Sequence, residues 1–234
     1  MDAQTLALFP VWYAAFLLAL TCHEAGHALV ARWGGDDTAY LSGQVSLNPW
    51  PHIRREPFGT VLVPVLTYFM GAQHWMMGWA SAPYDPSWED RHPGRAAAMA
   101  AAGPAANFIL FAVAFTILKV GLLNGIWTVP LDNRWIGHLV AAAPGASGIV
   151  DAAGRFLSVV MGLNLILGVF NLLPVPPLDG ASVLSGIAPP VRAFYKSLRA
   201  IPAASFVGVF LAWRVSPYIV MPVLEAAARA LWFR

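Results

Sequence analysis

Residues Leu6–Ala31 read LALFPVWYAAFLLALTCHEAGHALVA, an apolar run that closes on His23-Glu24-Ala25-Gly26-His27. About 20 apolar residues suffice to cross a hydrocarbon core about 30 Å thick as a helix. Ionisable groups in such a run cost roughly 3 kcal/mol each at the bilayer centre unless they are paired or coordinated. Positions i and i+4 share one face of an α-helix, so both imidazoles can reach one metal ion. Glu24, beside them, offers a carboxylate able to act as a general base toward water. At about 1.5 Å per residue, His23 lies about 25 Å along the helix from Leu6. The spacing predicts a metal site in the far third of the membrane, close to one surface.

The rest of the chain supports a membrane setting. Of 234 residues, 58% are hydrophobic and 11% charged, where a soluble domain carries about a quarter charged residues. A soluble chain this apolar could not cover its own surface with polar groups. The net charge of +2 and the lack of a basic run exclude nucleic acid as a partner. With one cysteine, Cys22, there is no internal disulfide framework, and Cys22 reads as a small packing residue. Met1-Asp2 supplies no basic n-region, so the first run reads as a membrane helix and not as a secretory signal.

Five apolar stretches stand out, roughly 6–31, 58–79, 96–120, 156–173 and 203–224. Gly34-Gly35-Asp36-Asp37 reads as a helix stop and turn. The following residues, Tyr40–Leu47, alternate loosely and predict a short strand. Ala82–Gly94, with three prolines, reads as extended chain or loop. Residues 121–155 are mixed and broken by Pro130, Pro144 and several glycines. The expectation is an all-α polytopic membrane protein forming one domain over 1–234. Its core lies at about 6–190, with a C-terminal helical extension at about 191–234.

Two histidines do not complete a zinc site, which takes a third protein ligand and keeps an open position. His52, His74, His92, His138 and the carboxylates are all candidates. Asp179 stands out, in Asn171-Leu-Leu-Pro-Val-Pro-Pro-Leu-Asp179-Gly180. Alone, an Asp-Gly after prolines is usually a turn. After an apolar span, in a chain that carries H-E-x-x-H, it reads as a ligand. A third element is Gly103-Pro104-Ala105-Ala106-Asn107, within another apolar span. The glycine and proline there predict an opened helix and close packing. Asn107 is either interhelical glue or a donor or acceptor beside a reacting carbonyl.

These three elements, in this order, resemble the site-2 protease family of intramembrane zinc metalloproteases. HEAGH, GPAAN and NLLPVPPLDG correspond to the family's three motifs, and SLNPWPHIRREPFGT and GWASAPYDP look like its short prokaryotic members. The resemblance covers about residues 6–190. It implies one zinc ion held by His23, His27 and Asp179, with Glu24 as the base. It also implies Asn107 as a substrate-positioning group and Asn171 as a motif asparagine toward the substrate. The chain departs at Ser81, where such short members often carry a lysine, and that bears on local substrate contacts.

Topology follows from a shared metal. If every stretch through Leu173 crossed the membrane, the histidines and Asp179 would end on opposite sides. The economical solution is that 58–79 enters and returns, making no net crossing. Arg32, Arg54, Arg55, Arg91, Arg95, Arg192, Lys196 and Arg199 then fall on the site's side, against Arg134, Arg155 and Lys119. The excess places the site toward the cytoplasm.

The expected function is hydrolysis of peptide bonds in membrane-protein or membrane-anchored substrates, in the cytoplasmic half of a cell membrane. The 58–95 region would present a strand edge to an extended substrate. The alternatives are a metal transporter and a catalytically inactive membrane chaperone. The chain shows no internal symmetry of the transporter kind, and Glu24 is intact.

Overall fold

A helix satisfies its backbone polar groups within one segment, so long uncharged runs in lipid take that form. The computed structural model describes residues 3–71, 75–131 and 136–233. Helix α1 spans Ala3–Trp33, and the short helices α2 (Thr38–Leu41) and α3 (Pro49–Arg55) follow it. A π-helical turn, Phe58–Leu62, leads into α4 (Val63–Met70). After an extended stretch come α5 (Pro86–Arg91) and α6 (Pro93–Leu123). Strands β1 (Trp127–Thr128) and β2 (Ala141–Ala142) pair antiparallel. Helices α7 (Gly148–Asn171), α8 (Asp179–Ile187), α9 (Pro189–Arg199) and α10 (Pro202–Trp232) follow. His74 and Arg134 lie outside the described residues.

Among the described residues, α1, α6, α7 and α10 are long and apolar enough to cross a membrane. The chain is an all-α polytopic membrane protein. Its outer faces carry exposed Ile109 and Val113 on α6 and Phe206, Phe210 and Tyr218 on α10. Such a surface is a liability in water and is what a bilayer covers. Inside, Trp12, Phe16, Tyr68, Leu118, Ile136 and Met161 form one core.

The order of contacts gives the directions. Ala19 and His27 on α1 meet Asn107 and Met99 on α6, so these two helices run antiparallel. Trp127 donates from Nε1 to the Val150 carbonyl, which ties β1 to the start of α7 at the far end. Helix α7 then returns to the end that holds His23. A Cβ on Gly208 would meet Val175 Cγ1 at 3.0 Å, so α10 starts beside the loop before Asp179. At its other end, Lys119 near the end of α6 donates to the carbonyls of Ala230, Leu231 and Phe233. Helix α10 therefore traverses the molecule.

The stretch after α3 makes no crossing. Its helical part, Phe58–Met70, is about 20 Å long at 1.5 Å per residue, too short for a span. The extended chain beyond it comes back along the same helix. Met77 N–H donates to Thr67 Oγ1 at 3.0 Å, and Ser81 Oγ donates to Glu56 Oε1 at 2.8 Å. The approach relies on two glycines. A side chain at Gly78 would strike the Gly59 carbonyl and Phe16, and one at Gly59 would strike Trp79.

Three local expectations are corrected. Within Ala82–Gly94, expected as extended chain or loop, Pro86–Arg91 forms helix α5, whose start is capped by Asp85 accepting from Ser87 N–H. Residues Tyr40–Leu47 form no strand, since α2 and turns occupy them. Asp36 Oδ1 accepts from Thr38 N–H at 2.9 Å and Ser42 Oγ donates to the Thr38 carbonyl at 2.9 Å. Such local side-chain bonds draw the backbone into turns. Nor do Gly103 and Pro104 open their helix, because α6 runs unbroken through both.

Candidate metal centre

Helix α1 puts the His23 and His27 rings on one face, with Nε2 atoms 3.0 Å apart. Asp179 is the first residue of α8, which packs beside α6. Its Oδ2 lies 3.2 Å from His23 Nε2 and its Oδ1 3.4 Å from His27 Nε2. Both histidines are buried, and so is Glu24 beside them.

The opposite nitrogens are committed. His27 Nδ1 lies 2.8 Å from the Met99 carbonyl, which can only accept, so that nitrogen carries the proton. His23 Nδ1 lies 2.6 Å from Asn107 Oδ1. Asn107 Nδ2 donates to the Ala19 carbonyl at 3.2 Å and to Asn164 Oδ1 at 2.8 Å. The Ala19 carbonyl fixes which end of the amide faces His23, so His23 Nδ1 is the donor there. In the neutral imidazoles both Nε2 lone pairs are then free, and both face the Asp179 carboxylate.

Gly103 makes the convergence possible. A Cβ at this position of α6 would overlap both imidazoles, coming to 2.7 Å from His23 Cε1. Any other residue would push the two rings away from Asp179.

This donor set fits a metal ion. Two imidazole nitrogens and a carboxylate oxygen lie within 4.8 Å of one another, and such N,N,O sets bind zinc. Asp179 Oδ2 is buried with no hydrogen-bond donor. An acceptor among free lone pairs lacks what a cation supplies.

Other expected residues fall elsewhere. His52 Nε2 lies 3.1 Å from the Ser46 carbonyl, His92 precedes the first turn of α6 against Trp88, and His138 is not part of the cluster of His23, His27 and Asp179. Asn107 is 0% exposed with both ends of its amide engaged. Asn171, at the end of α7, donates to the Leu167 carbonyl at 3.0 Å. The sequence reading missed Asn164 and the Met99 carbonyl. Asn164 had a signal, an amide in the middle of an apolar helix; a backbone carbonyl has none.

A family model described as Peptidase family M50 matches residues 11–215. The chain belongs to this family. M50 peptidases, the site-2 proteases, are membrane zinc metalloproteases, and the three motifs of this M50 chain lie within the matched region. The chain is 32% identical, over 94% of its length and 89% of the relative's, to "Putative zinc metalloprotease YwhC" of Bacillus subtilis (strain 168). It is 28% identical, over 76% of its length and 58% of the relative's, to "Putative zinc metalloprotease Rip2" of Mycolicibacterium smegmatis (strain ATCC 700084 / mc(2)155). No solved structure matches.

Proposed function

We propose that this M50 chain hydrolyses peptide bonds of membrane-spanning or membrane-anchored proteins at a site held by His23, His27 and Asp179. The observation that carries the reading is the convergence of two Nε2 atoms and the Asp179 carboxylate, with both Nδ1 atoms already bonded. Zinc, when bound, supplies Lewis acidity toward water and the reacting carbonyl. His23 and His27 hold it as neutral ligands, and Asp179 contributes the negative charge. Glu24 takes a proton from the attacking water and passes it to the leaving amine. Asn107 acts through His23, because its amide has no free end to offer a substrate. Asn171 is the polar group at the rim where α7 leads into the Asp179 loop.

The substrate must present unpaired backbone, because a regular helix has its amides occupied. The extended stretch after α4 supports binding of such a segment by strand addition. The site's side is read as cytoplasmic. Arg32, Arg54, Arg55, Arg91, Arg95, Arg192, Lys196 and Arg199 lie at the site's end, against Lys119, Arg155 and Arg229 at the other.

The test compares membrane-protein fragments between cells carrying the wild type and cells carrying Glu24→Gln, together with zinc content of both purified proteins. Fragments that vanish with the mutant, at equal zinc content, support the reading. Identical fragment patterns would overturn it.

A further inference from the structure

Helix α7 carries an asparagine that none of the three motifs contains. Asn164 is 0% exposed, in the middle of an apolar helix. Its Nδ2 donates to the Val160 carbonyl at 2.8 Å, one turn back on the same helix. That carbonyl can only accept, so Oδ1 must point the other way, toward α6. There it accepts from Asn107 Nδ2 at 2.8 Å.

Asn107 Nδ2 thus has two acceptors, Asn164 Oδ1 and the Ala19 carbonyl, and the nearer is Asn164. With Nδ2 held, Asn107 Oδ1 faces His23 Nδ1 at 2.6 Å. A carbonyl oxygen accepts and never donates, so His23 carries a proton on Nδ1, and in the neutral ring the lone pair is on Nε2. The relay runs from the Val160 carbonyl through two amides to one imidazole, across three helices. Each of its polar atoms is partnered, as a buried network requires.

We propose, on the metal reading given above, that Asn164 is a positioning residue of the centre. It orients Asn107 and so holds His23 in the tautomer and ring orientation that leave Nε2 free for the metal. Hydrogen bonds of this kind behind a histidine ligand set its tautomer, and their loss costs roughly 10–100-fold in metal affinity. Burial removes competing water from the relay, so no solvent molecule restores a lost bond.

The experiment uses the full chain in detergent micelles. Zinc affinity is read by competition with a chromophoric chelator. The His23 tautomer is read from the ring-nitrogen resonances of 15N-histidine-labelled, zinc-loaded protein. Asn164→Leu keeps the volume and removes both polar atoms; it should weaken zinc roughly 10–100-fold and alter the His23 Nδ1–H signal. Asn164→Asp, neutral in this site, donates to Val160 and accepts from Asn107. It should hold zinc within about threefold of the wild type.

Wild-type affinity and an unchanged Nδ1–H signal in Asn164→Leu would overturn the proposal. So would an Asn164→Asp as weak as Asn164→Leu, since packing would then be the cause. If Asn164→Leu does not fold, Asn164→Ala is judged by the same two readouts. His23→Ala separates the levels. If it retains zinc like the wild type, the ligand reading fails; if it loses zinc while Asn164→Leu keeps it, only the relay fails.

Discussion

Trp79 N–H donates to the Gly59 carbonyl at 3.1 Å, joining the far end of the 58–79 stretch to its beginning. The chain leaves that stretch on the side where it entered. This single relationship lets α1 and α7 bring His23, His27 and Asp179 to one end of the molecule.

The return predicts a labelling pattern. With Cys22 replaced, cysteines placed at Arg55 and at Glu89 should both react with a membrane-impermeant reagent applied from the site's side. Neither should react from the other. Labelling of Glu89 from the opposite face alone would show a full crossing and would contradict the Gly59–Trp79 contact.

Glu24→Gln should retain zinc and lose proteolysis. The amide keeps the size of the carboxylate but cannot take a proton. A fall of about 100-fold or more in turnover, at unchanged zinc stoichiometry, is expected. Undiminished turnover by the purified mutant would remove Glu24 from the mechanism.

Asp179→Ala should cut zinc affinity by roughly 100-fold or more, because losing a ligand exceeds the effect of losing a group behind one. Two imidazoles alone make a poor zinc site. Dialysis against a mild chelator followed by metal analysis reads the result, and unchanged zinc would point to another third ligand.

Gly103→Ala is the smallest change that should disable the centre from outside the ligand set. The added methyl overlaps both rings, and overpacking of this kind costs about 1–3 kcal/mol. Lower thermal stability and weaker zinc binding are expected together. A stable protein with wild-type zinc affinity would mean that α1 and α6 can separate at no cost.

On the site's side, Arg192 and Lys196 of α9 pair with Asp90, and Arg199 pairs with Glu89. The bond and charge of Lys196, with Arg192 alongside, hold the Asp90 carboxyl below the usual carboxylate range. A lowered pKa gives a contribution that is present above the unfolded value and lost as pH falls through the folded one. Protease access to the Ala188–Ile201 region should therefore rise on acidification below the ordinary carboxylate range, and also in high salt, which screens exposed pairs. Access indifferent to both would show that apolar packing alone holds α9.

The sequence by itself determined the class of protein and singled out the candidate ligands. Composition and run length specify a membrane protein, because charge is scarce where lipid would penalise it. The i, i+4 histidines share a face on any helix, and a shared metal makes an even number of crossings obligatory between them and Asp179. Other features were settled only by tertiary structure. The Tyr40–Leu47 stretch became turns because Asp36 and Ser42 bond the local backbone. Pro104 stayed inside a continuous α6. Asn107, legible as a polar group in a span, could be assigned to His23 only once Ala19 and Asn164 were seen to occupy its other end. Asn164 and the Met99 carbonyl had no spacing rule to reveal them, since each acts across helices. Local periodicity encodes which face a residue takes; which partner it meets depends on how separate helices pack.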